Sequence, residues 1–347
     1  MSTFSKKILN WYDQHGRTDL PWQQNITPYR VWLSEVMLQQ TQVKTVIPYF
    51  QHFTKEFSTV EALANASEDQ VLKLWSGLGY YNRARNLHKA AQQVSNDFTG
   101  VFPNNMDDMQ SLAGVGRSTA AAILSIALEQ PQAILDGNVK RVLTRYHTIE
   151  GWTGKASVLK QLWSVAEQHL PTSRNRDYTQ AMMDLGATLC TRSKPACERC
   201  PLQANCSACK QGNMTDYPTP KKKKALPEKH TIMLILKNQQ QEVLMQKRPP
   251  VGIWGSLWCF PQFETDNEMS KWLDTQHINA EITEKLEQFS HTFSHFRLHI
   301  QPLIIQLESP LKGGVMEDDN SLWYNLDTEF QGGLASPVQK LLQEIKL

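Results

Sequence analysis

The spacing of hydrophobic residues divides this chain into a helical first part and a later part that contains strands. From about residue 32 to residue 210, apolar residues recur at intervals of three and four, the period of an amphipathic helix. Three runs predict helices most clearly: EALANASEDQVLKLWSGLG, SVLKQLWSVAEQHLP and NRDYTQAMMDLGATLC. The first ends on glycine and the second on proline, and both residues stop helices. We therefore expect an all-α domain over residues 1–216.

A run rich in proline and lysine follows the helical part. The segment YPTPKKKKALPEKH is typical of an exposed linker, which we place at residues 217–229. Beyond it, TIMLILK and EVLMQKR predict a β-hairpin, and LHIQPLIIQLE predicts another strand. SPVQKLLQEIKL predicts an amphipathic helix. A smaller α+β domain is therefore expected over residues 230–347.

Composition and charge set few limits on function. Hydrophobic residues make up 40% and charged residues 20% of the 347 residues, enough for a buried core, and the net charge is +2. The basic runs NVKRVLTR, TSRNR and KKKK can meet phosphates or lie on solvated surfaces. The N-terminal residues lack the apolar run of a signal peptide, and the longest apolar stretch, AAAILSIAL, is too short to span a bilayer. We expect an intracellular, cytoplasmic protein without a membrane partner.

Most of the cysteines fall in the short segment CTRSKPACERCPLQANC. Because intracellular thiols stay reduced, such a group is more typical of a metal site than of disulfides. The spacing of Cys190, Cys197, Cys200 and Cys206 suits an iron–sulfur cluster. Cys197 and Cys200, with Cys206 and Cys209, also form two CxxC pairs that suit zinc. Spacing alone predicts a metal site and leaves the metal open.

A glycine turn precedes an alanine-rich helix in the segment LAGVGRSTAAAIL. Gly114, Val115 and Gly116 form this turn, and glycine lets the backbone approach a ligand closely. The start of a helix carries unpaired N–H donors and partial positive charge, which suit a phosphate group. A plain turn between two helices is the alternative interpretation.

Taken together, these motifs resemble one enzyme family. The glycine turn, the segment LDGNVKRV and the C-x6-C-x2-C-x5-C spacing are similar to those of the helix–hairpin–helix DNA glycosylases that carry a [4Fe–4S] cluster. Within that family, WLSEVMLQQTQV, GLGYYNRARNLHKAA and HTFSHF resemble the catalytic-acid helix, the DNA-wedging loop and the lesion-reading loop of the MutY branch. GIWGSLWCFPQFE resembles the early segment of the Nudix, or MutT-like, fold.

The resemblance implies a monofunctional adenine DNA glycosylase of base excision repair. Its substrate would be double-stranded DNA with adenine opposite 8-oxoguanine or guanine, and we expect a monomer associated with the bacterial nucleoid. The resemblance also implies a [4Fe–4S] cluster on Cys190, Cys197, Cys200 and Cys206, with Cys209 spare. The residues that it places against DNA or the extruded base are Arg17, Trp22, Leu38, Gln39, Gln40, Tyr80, Gly114, Val115, Gly116, Ser118, Gln180, Phe293, Ser294 and His295.

Two carboxylates are candidates for catalysis. Glu35 has apolar neighbours, and loss of hydration raises a carboxyl pKa towards that of a general acid; the alternative is a glutamate on the polar face of a helix. Asp136 precedes a helical run and is expected to cap it, where helix donors favour the anion. The resemblance implies that Glu35 protonates adenine, that Asp136 stabilises the cationic sugar and that Asn138 assists by hydrogen bonding.

Ser118 bears on the choice between two branches of this family. By resemblance, strand-cleaving relatives of the endonuclease III type carry lysine at this position and form a Schiff base. A hydroxyl cannot form that imine, so we expect base release without strand cleavage. The alternative is a bifunctional glycosylase and lyase. Lys140 is another amine that could form the imine, and we do not expect it to react. Ala113 stands where the family commonly has proline. The loss of that rigid residue is expected to loosen phosphate binding slightly without abolishing it.

The second domain is expected to keep the Nudix fold and to lack its catalysis. An active pyrophosphohydrolase of that fold carries a glutamate-rich helix that binds magnesium. The corresponding segment here, TDNEMSKWLDTQH, has no such pattern.

Overall fold

Helices dominate the first part of the chain, and side-chain caps fix where several of them begin. Thr27 accepts a hydrogen bond from the N–H of Arg30 at 3.2 Å, so the second helix begins at Pro28. The helices are α1 (Thr3–His15), α2 (Pro28–Leu38), α3 (Val43–Glu56), α4 (Val60–Asn65), α5 (Glu68–Trp75), α6 (Asn82–Asp97), α7 (Met106–Ser111), α8 (Arg117–Leu128), α9 (Gly137–His147), α10 (Ala156–Gln168), α11 (Asn175–Thr188) and α12 (Ser207–Gln211).

The predicted helix over residues 61–79 is two helices, α4 and α5. Ser67 separates them, because its hydroxyl accepts the N–H of Gln70 at 3.2 Å while the Gln70 side chain accepts the N–H of Ser67 at 2.8 Å. This reciprocal pair starts a new helix, which apolar spacing does not reveal. The helices expected from the other two runs are confirmed as α10 and α11, and α1 precedes the segment in which the periodicity was recognised.

Two compact units make up the computed structural model, which describes residues 2–221, 225–279, 281–308 and 320–346. The first unit comprises Met1–Asn65 and Asn86–Lys223, and the second comprises Ala66–Arg85 and Lys224–Leu347. The predicted domain limits, 1–216 and 230–347, had placed residues 66–85 with the first part of the chain. Within the described helices, none combines the length and apolar character that crossing a membrane requires.

A mixed β-sheet forms the centre of the second unit. Its strands are β1 (Glu228–Lys237), β2 (Val243–Lys247), β3 (Trp258–Cys259), β4 (Gln262–Phe263), β5 (Glu284–Lys285), β6 (Phe289–Thr292), β7 (Arg297–Gln306) and β8 (Ser321–Tyr324). β1 and β7 run parallel over their whole length, and their neighbours β2, β4, β5 and β6 pair with them in the antiparallel sense. The predicted hairpin is β1 and β2, and the predicted strand is β7.

Helices α13 (Asp266–Thr275) and α14 (Ser336–Lys346) complete the second unit. Met269 of α13 joins a buried cluster with sheet residues such as Leu234 and Ile305. Cys259 is fully buried, as expected for an ordinary core residue. α14 confirms the predicted amphipathic helix at residues 336–347, of which residue 347 lies outside the described residues.

Polar bonds attach residues 66–85 to the rest of the second unit. Lys73 Nζ lies 3.0 Å from a carboxylate oxygen of Glu329, and the Tyr81 hydroxyl donates to the carbonyl of Leu334 at 3.1 Å. These partners are more than 250 positions apart in sequence, which is why the pattern of the chain does not predict them.

The predicted linker is not exposed at its start. Tyr217 is buried, and its carbonyl accepts a hydrogen bond from Arg145 Nε at 3.0 Å. The Thr219 hydroxyl accepts the N–H of Gly151 at 3.1 Å, so the linker's first residues belong to the first unit. Three lysines of the run KKKK, at residues 222–224, lie outside the described residues.

Candidate active site

Glu35 lies near the middle of α2, where its neighbours are buried. Trp32, Leu33 and Val36 all belong to the core. Burial raises the pKa of the Glu35 carboxyl to about 8, and the negative charge of Asp136 acts in the same direction. No hydrogen bond from the described part of the chain opposes this shift. The expected direction of the pKa shift is confirmed, and a pKa of about 8 suits a carboxyl that is to carry a proton at neutral pH.

Asp136 caps α9, as the sequence predicts. One carboxylate oxygen accepts the N–H of Val139 at 2.7 Å, and the other accepts the Asn138 side-chain amide at 3.2 Å. Burial raises the pKa of Asp136 above its usual value, while these hydrogen bonds and the charge of Arg141 offset part of the rise. The predicted donors do favour the anion, but burial has the larger effect, so the pKa of Asp136 is raised overall. Among the described residues, no hydrogen bond offsets the rise at Glu35, so its carboxyl keeps a proton to higher pH than that of Asp136.

Arg141 joins the segment of Asp136 and Asn138 to the cysteine segment. Its Nη2 donates to Asn138 Oδ1 at 2.8 Å and to the Gly186 carbonyl at 2.6 Å, and its Nε donates to the Cys190 carbonyl at 2.6 Å. Gly186 is needed here, since a Cβ would lie 2.5 Å from Cβ of Asn138. This role of Arg141 was not predicted from the sequence, although its position three residues after Asn138 puts both on one helix face.

Arg17 and Gln180 meet on a residue that the sequence did not single out, Asp184. Arg17 donates to this carboxylate from its backbone N–H at 2.8 Å, from Nε at 3.0 Å and from Nη2 at 2.6 Å. Gln180 Nε2 donates to it at 2.9 Å. Asp184 is only 1% exposed in its side chain. In the structure these donors bond to Asp184 of the same chain. The hydrogen bonds expected from Arg17 and Gln180 to adenine stay a prediction. Asp184 follows Gln180 by four residues, so helical spacing could have indicated it.

The other predicted neighbours of the extruded base lie at both ends of α2. Trp22 is buried and packs edge-on against Phe50, with ring centroids 5.5 Å apart. Leu38 is half-buried and is the last residue of α2. Gln39 is half-buried, and Gln40 is exposed with a φ of 57°. Both glutamines therefore lie in the loop that follows α2 and not on the face of a helix.

The glycine turn joins α7 to α8, as expected for a helical hairpin. Gly114 has a φ of 75°, and a Cβ there would lie 2.8 Å from Cβ of Asn86, so glycine is required for two reasons. Val115 is buried, whereas a Cβ on Gly116 would meet open space. Gly116 caps α8 without a side-chain acceptor. The backbone donors at this helix start are therefore suited to a phosphate.

Two residues beside this turn make bonds that the sequence does not reveal. The N–H of Ala113 donates to Gln93 Oε1 at 2.7 Å, a bond that proline could not make. It offsets the loosening expected from the loss of proline. The Ser118 hydroxyl accepts the N–H of Leu135 at 3.0 Å and so fixes the residue before Asp136.

The four predicted cysteine ligands line one cavity, together with Cys209. Charges on Cys190, Cys206 and Cys197 add to burial in raising the pKa of Cys200, which indicates that the thiols lie near one another. Among the described residues, however, no three such side chains are close enough to share a single metal ion. Four thiolates around one zinc would each lie about 2.3 Å from it, whereas an iron–sulfur cluster spreads its cysteines over several irons. The cavity thus brings together a set of thiol donors that suits either an iron–sulfur cluster or zinc.

Arg145 is a buried residue that donates hydrogen bonds to the cysteine segment. It is 2% exposed and donates to Cys190 Sγ at 3.3 Å and to the carbonyls of Thr191 at 2.7 Å and Arg192 at 2.9 Å. Two cations of the basic run NVKRVLTR, Arg141 and Arg145, therefore bond to groups of the protein itself and do not form a free basic patch. The run TSRNR is also engaged within the protein, since its arginines pair with Asp13, Asp177 and Glu129.

In the second unit, Tyr80 is exposed on a loop of fixed shape. It is 48% exposed and has a φ of 51°, after Gly77 and Gly79 with φ of 91° and 74°. The Arg83 guanidinium lies 5.4 Å from the ring centroids of both Tyr80 and Trp75. An exposed ring on an ordered loop excludes the interpretation of Tyr80 as a core residue.

Phe293, Ser294 and His295 lie in the loop between β6 and β7. Ser294 and His295 are exposed, and Ser294 Oγ lies 3.4 Å from His295 Nδ1. Phe293 is half-buried and stacks on Phe296, with ring centroids 4.5 Å apart. The polar pair thus forms the tip of the loop, as reading a base edge requires.

Comparison with protein families matches the two parts of the chain separately. Residues 33–168 match the model of the HhH-GPD superfamily base excision DNA repair protein. Residues 232–344 match the model of the NUDIX domain. The first match includes Glu35, the glycine turn, Ser118 and Asp136.

Curated relatives align with the chain through both parts. The adenine DNA glycosylase of Buchnera aphidicola subsp. Acyrthosiphon pisum (strain APS) is 43% identical over 99% of this chain and 97% of its own length. The adenine DNA glycosylase of Homo sapiens is 33% identical over 89% of this chain and 68% of its own length. A thermostable thymine-DNA glycosylase of known structure aligns with a TM-score of 0.53 at 29% identity, covering 60% of this chain and 95% of that one.

Proposed function

Because the chain belongs to the adenine DNA glycosylase family, with a helix–hairpin–helix glycosylase part followed by a Nudix-like domain, we propose that it releases adenine from double-stranded DNA as a monofunctional hydrolase. The finer proposal is that this adenine lies opposite 8-oxoguanine or guanine. The observation that carries the chemistry is the contrast between two carboxyl groups. Burial raises the pKa of Glu35 to about 8, and no hydrogen bond from the described residues lowers it, whereas at Asp136 hydrogen bonds and the charge of Arg141 offset part of the rise that burial causes.

The contrast suits an acid and an anion with separate tasks. Adenine must first leave the base stack to reach these groups. The Glu35 carboxyl gives its proton to a ring nitrogen of the base, and the electron pair of the glycosidic bond moves onto the base as that bond breaks. The Asp136 carboxylate, oriented by Asn138 and Val139, stabilises the positive sugar. Water then adds to the sugar carbon, and its proton passes to the Glu35 anion.

The absence of strand cleavage is supported by position 118. Its hydroxyl cannot form an imine, and it is engaged with the N–H of Leu135. Lys140 lies within α9, in the first turns after the Asp136 cap. The endonuclease III-like lyase is accordingly not favoured. Borohydride reduction during the reaction is the test: we expect no covalent adduct between the protein and the DNA, and a strong adduct would contradict the monofunctional assignment.

The DNA contacts are proposals of the same kind. The helix start at Gly116 would hold a phosphate of the strand that carries adenine. Gln39 and Gln40 would plug the helix where the extruded base leaves it. Tyr80 would insert beside the lesion base, and Ser294 with His295 would contact that base. Exposure of Gln40, Tyr80 and the loop tip supports these roles.

A [4Fe–4S] cluster is proposed on Cys190, Cys197, Cys200 and Cys206. When bound, it would fix the fold of the segment that carries Arg192 and Lys194, both of which are exposed. Those two cations would then face the DNA backbone. The cysteines take no part in breaking the glycosidic bond.

A pair of glutamate substitutions tests the catalytic proposal. Glu35→Gln keeps the shape of the side chain and removes its acid, so base release should fall by at least about a hundredfold while binding to the duplex is retained. Glu56→Gln, at an exposed position at the end of α3, is the matched control and should keep the full rate. The measurement is the single-turnover rate on a duplex with adenine opposite 8-oxoguanine, with alkali used to reveal abasic sites. An active Glu35→Gln enzyme refutes the assignment.

A further inference from the structure

Trp254 has a backbone conformation that bulky residues avoid. Its φ is 54°, and it lies between Gly252 with a φ of 97° and Ser256 with a φ of 60°. Glycine enters this left-handed region freely, whereas other residues do so only when their surroundings impose it. Such a conformation at a tryptophan points to a role for the ring that another backbone path would not serve.

Hydrogen bonds close the segment and impose the conformation. The N–H of Ser256 donates to the Arg248 carbonyl at 3.1 Å, and the N–H of Arg248 donates to the Leu257 carbonyl at 2.8 Å. Inside this closure, the N–H of Leu257 donates to the carbonyl of Trp254 at 2.9 Å. The direction of the Trp254 side chain is therefore set by the closed segment.

The result is a ring placed against the predicted lesion-reading loop. The ring centroid of Trp254 lies 5.5 Å from that of Phe293 and 5.8 Å from that of His291. Trp254 is 7% exposed. We call Trp254, His291, Phe293 and Phe296 the aromatic layer. The buried cluster on the sheet forms without Trp254, so the ring serves the layer and not that cluster.

The aromatic layer supports a tip that has few bonds of its own. Phe293 and Phe296 flank the tip, and the N–H of Phe293 donates to the Phe296 carbonyl at 2.9 Å. Ser294 and His295 extend from this closure into solvent. A pair of polar groups discriminates between base edges only if it is held in place, and here the holding groups are the rings beneath.

We propose that Trp254 is a positioning residue for base discrimination: it holds Phe293 so that Ser294 and His295 meet the base opposite adenine in one fixed arrangement. The inference rests on the proposed role of that loop. It assigns to the segment between β2 and β3 a part in telling 8-oxoguanine from guanine, although Trp254 itself touches neither base.

Two substitutions at this position separate the ring from the backbone. Trp254→Gly keeps access to the left-handed conformation and removes the ring, whereas Trp254→Phe keeps an aromatic ring. Single-turnover rates are measured with adenine opposite 8-oxoguanine and opposite guanine. In Trp254→Gly the rate opposite 8-oxoguanine should fall, because misplaced contacts lose much of their effect. The ratio of that rate to the rate opposite guanine should therefore fall by about tenfold. Trp254→Phe should restore most of the ratio.

A control distinguishes positioning from general loss of stability. Trp272 packs against Phe263 at 5.5 Å and against the sheet cluster, away from the aromatic layer. Trp272→Leu should lower the melting temperature and leave the ratio of rates unchanged. If Trp254→Gly also leaves the ratio unchanged, or lowers both rates equally, the positioning role is overturned.

Ser294→Ala and His295→Ala separate this inference from the proposed function. If they lower the ratio while Trp254→Gly does not, the loop reads the base and Trp254 does not position it. If neither loop substitution alters the ratio, the proposed role of the loop fails, and the role of Trp254 fails with it. The inference stands only if the loop variants and Trp254→Gly lower the ratio together.

Discussion

The Ser118 hydroxyl accepts a hydrogen bond from the backbone N–H of Leu135 at 3.0 Å. This bond ties the first turn of α8 to the residue that precedes Asp136. The position at which the resemblance predicts lysine in strand-cleaving relatives therefore also fixes the residue before Asp136.

Removing the hydroxyl should affect both stability and rate. Ser118→Ala leaves the N–H of Leu135 without its acceptor, and Leu135 is buried. An unpaired buried donor costs about 1–3 kcal/mol. We expect that loss in urea unfolding, together with a slower single-turnover release of adenine. Ser118→Thr keeps the hydroxyl and serves as the control; equal stability of the alanine and threonine variants would contradict the role of the bond.

Base release should depend on pH in a bell-shaped manner. The Glu35 carboxyl is active when protonated, and its pKa is raised to about 8, so activity should persist through neutral pH and fall as pH rises past that value. On the acid side, activity should fall as Asp136 takes up a proton, at a pH above the usual range for aspartate because its pKa is raised. The measurement is the single-turnover rate between about pH 5 and about pH 10. A rate that rises steadily above pH 8 would rule out Glu35 as the acid.

The ion pair of Arg17 with Asp184 should matter far more than an exposed pair. Asp184→Asn keeps the size of the side chain but removes the buried charge that Arg17 and Gln180 share. Breaking such a pair costs about 3 kcal/mol or more. Asp13→Asn removes an exposed partner of Arg174 and should cost about 0.5 kcal/mol. Urea unfolding of both variants is the test, and equal losses would show that the burial of Asp184 has no energetic weight.

Two cysteines three positions apart should behave differently. Cys206→Ser should lose visible colour, iron and sulfide, because it removes a proposed ligand. Cys209 lines the same cavity but is not a proposed ligand, so Cys209→Ser should keep all three. Visible absorbance with iron and sulfide analysis distinguishes them. If Cys209→Ser loses the metal and Cys206→Ser keeps it, the proposed ligand set is wrong.

Part of the fold was predictable because its causes are local. The apolar period identified α10, α11 and α14, and runs of β-prone residues, two of them separated by a polar turn, identified β1, β2 and β7. The break between α4 and α5 was not predicted, because the apolar spacing continues through it. The residues that form the cap at Ser67 are nevertheless close together in the sequence. The attachment of residues 66–85 to the second unit escaped because Lys73 and Glu329 meet only after folding.

For the site, the sequence by itself determined which groups sit at special backbone positions. Asp136 is a helix cap and Gly114 a left-handed turn because a few neighbouring residues suffice to set those conformations. Only the tertiary structure decided how these groups are hydrated and paired. Asp184 reaches Arg17 across 167 positions, and burial outweighs the helix donors at Asp136. The physical reason is that desolvation and ion pairing depend on atoms brought from distant segments, which no local pattern contains.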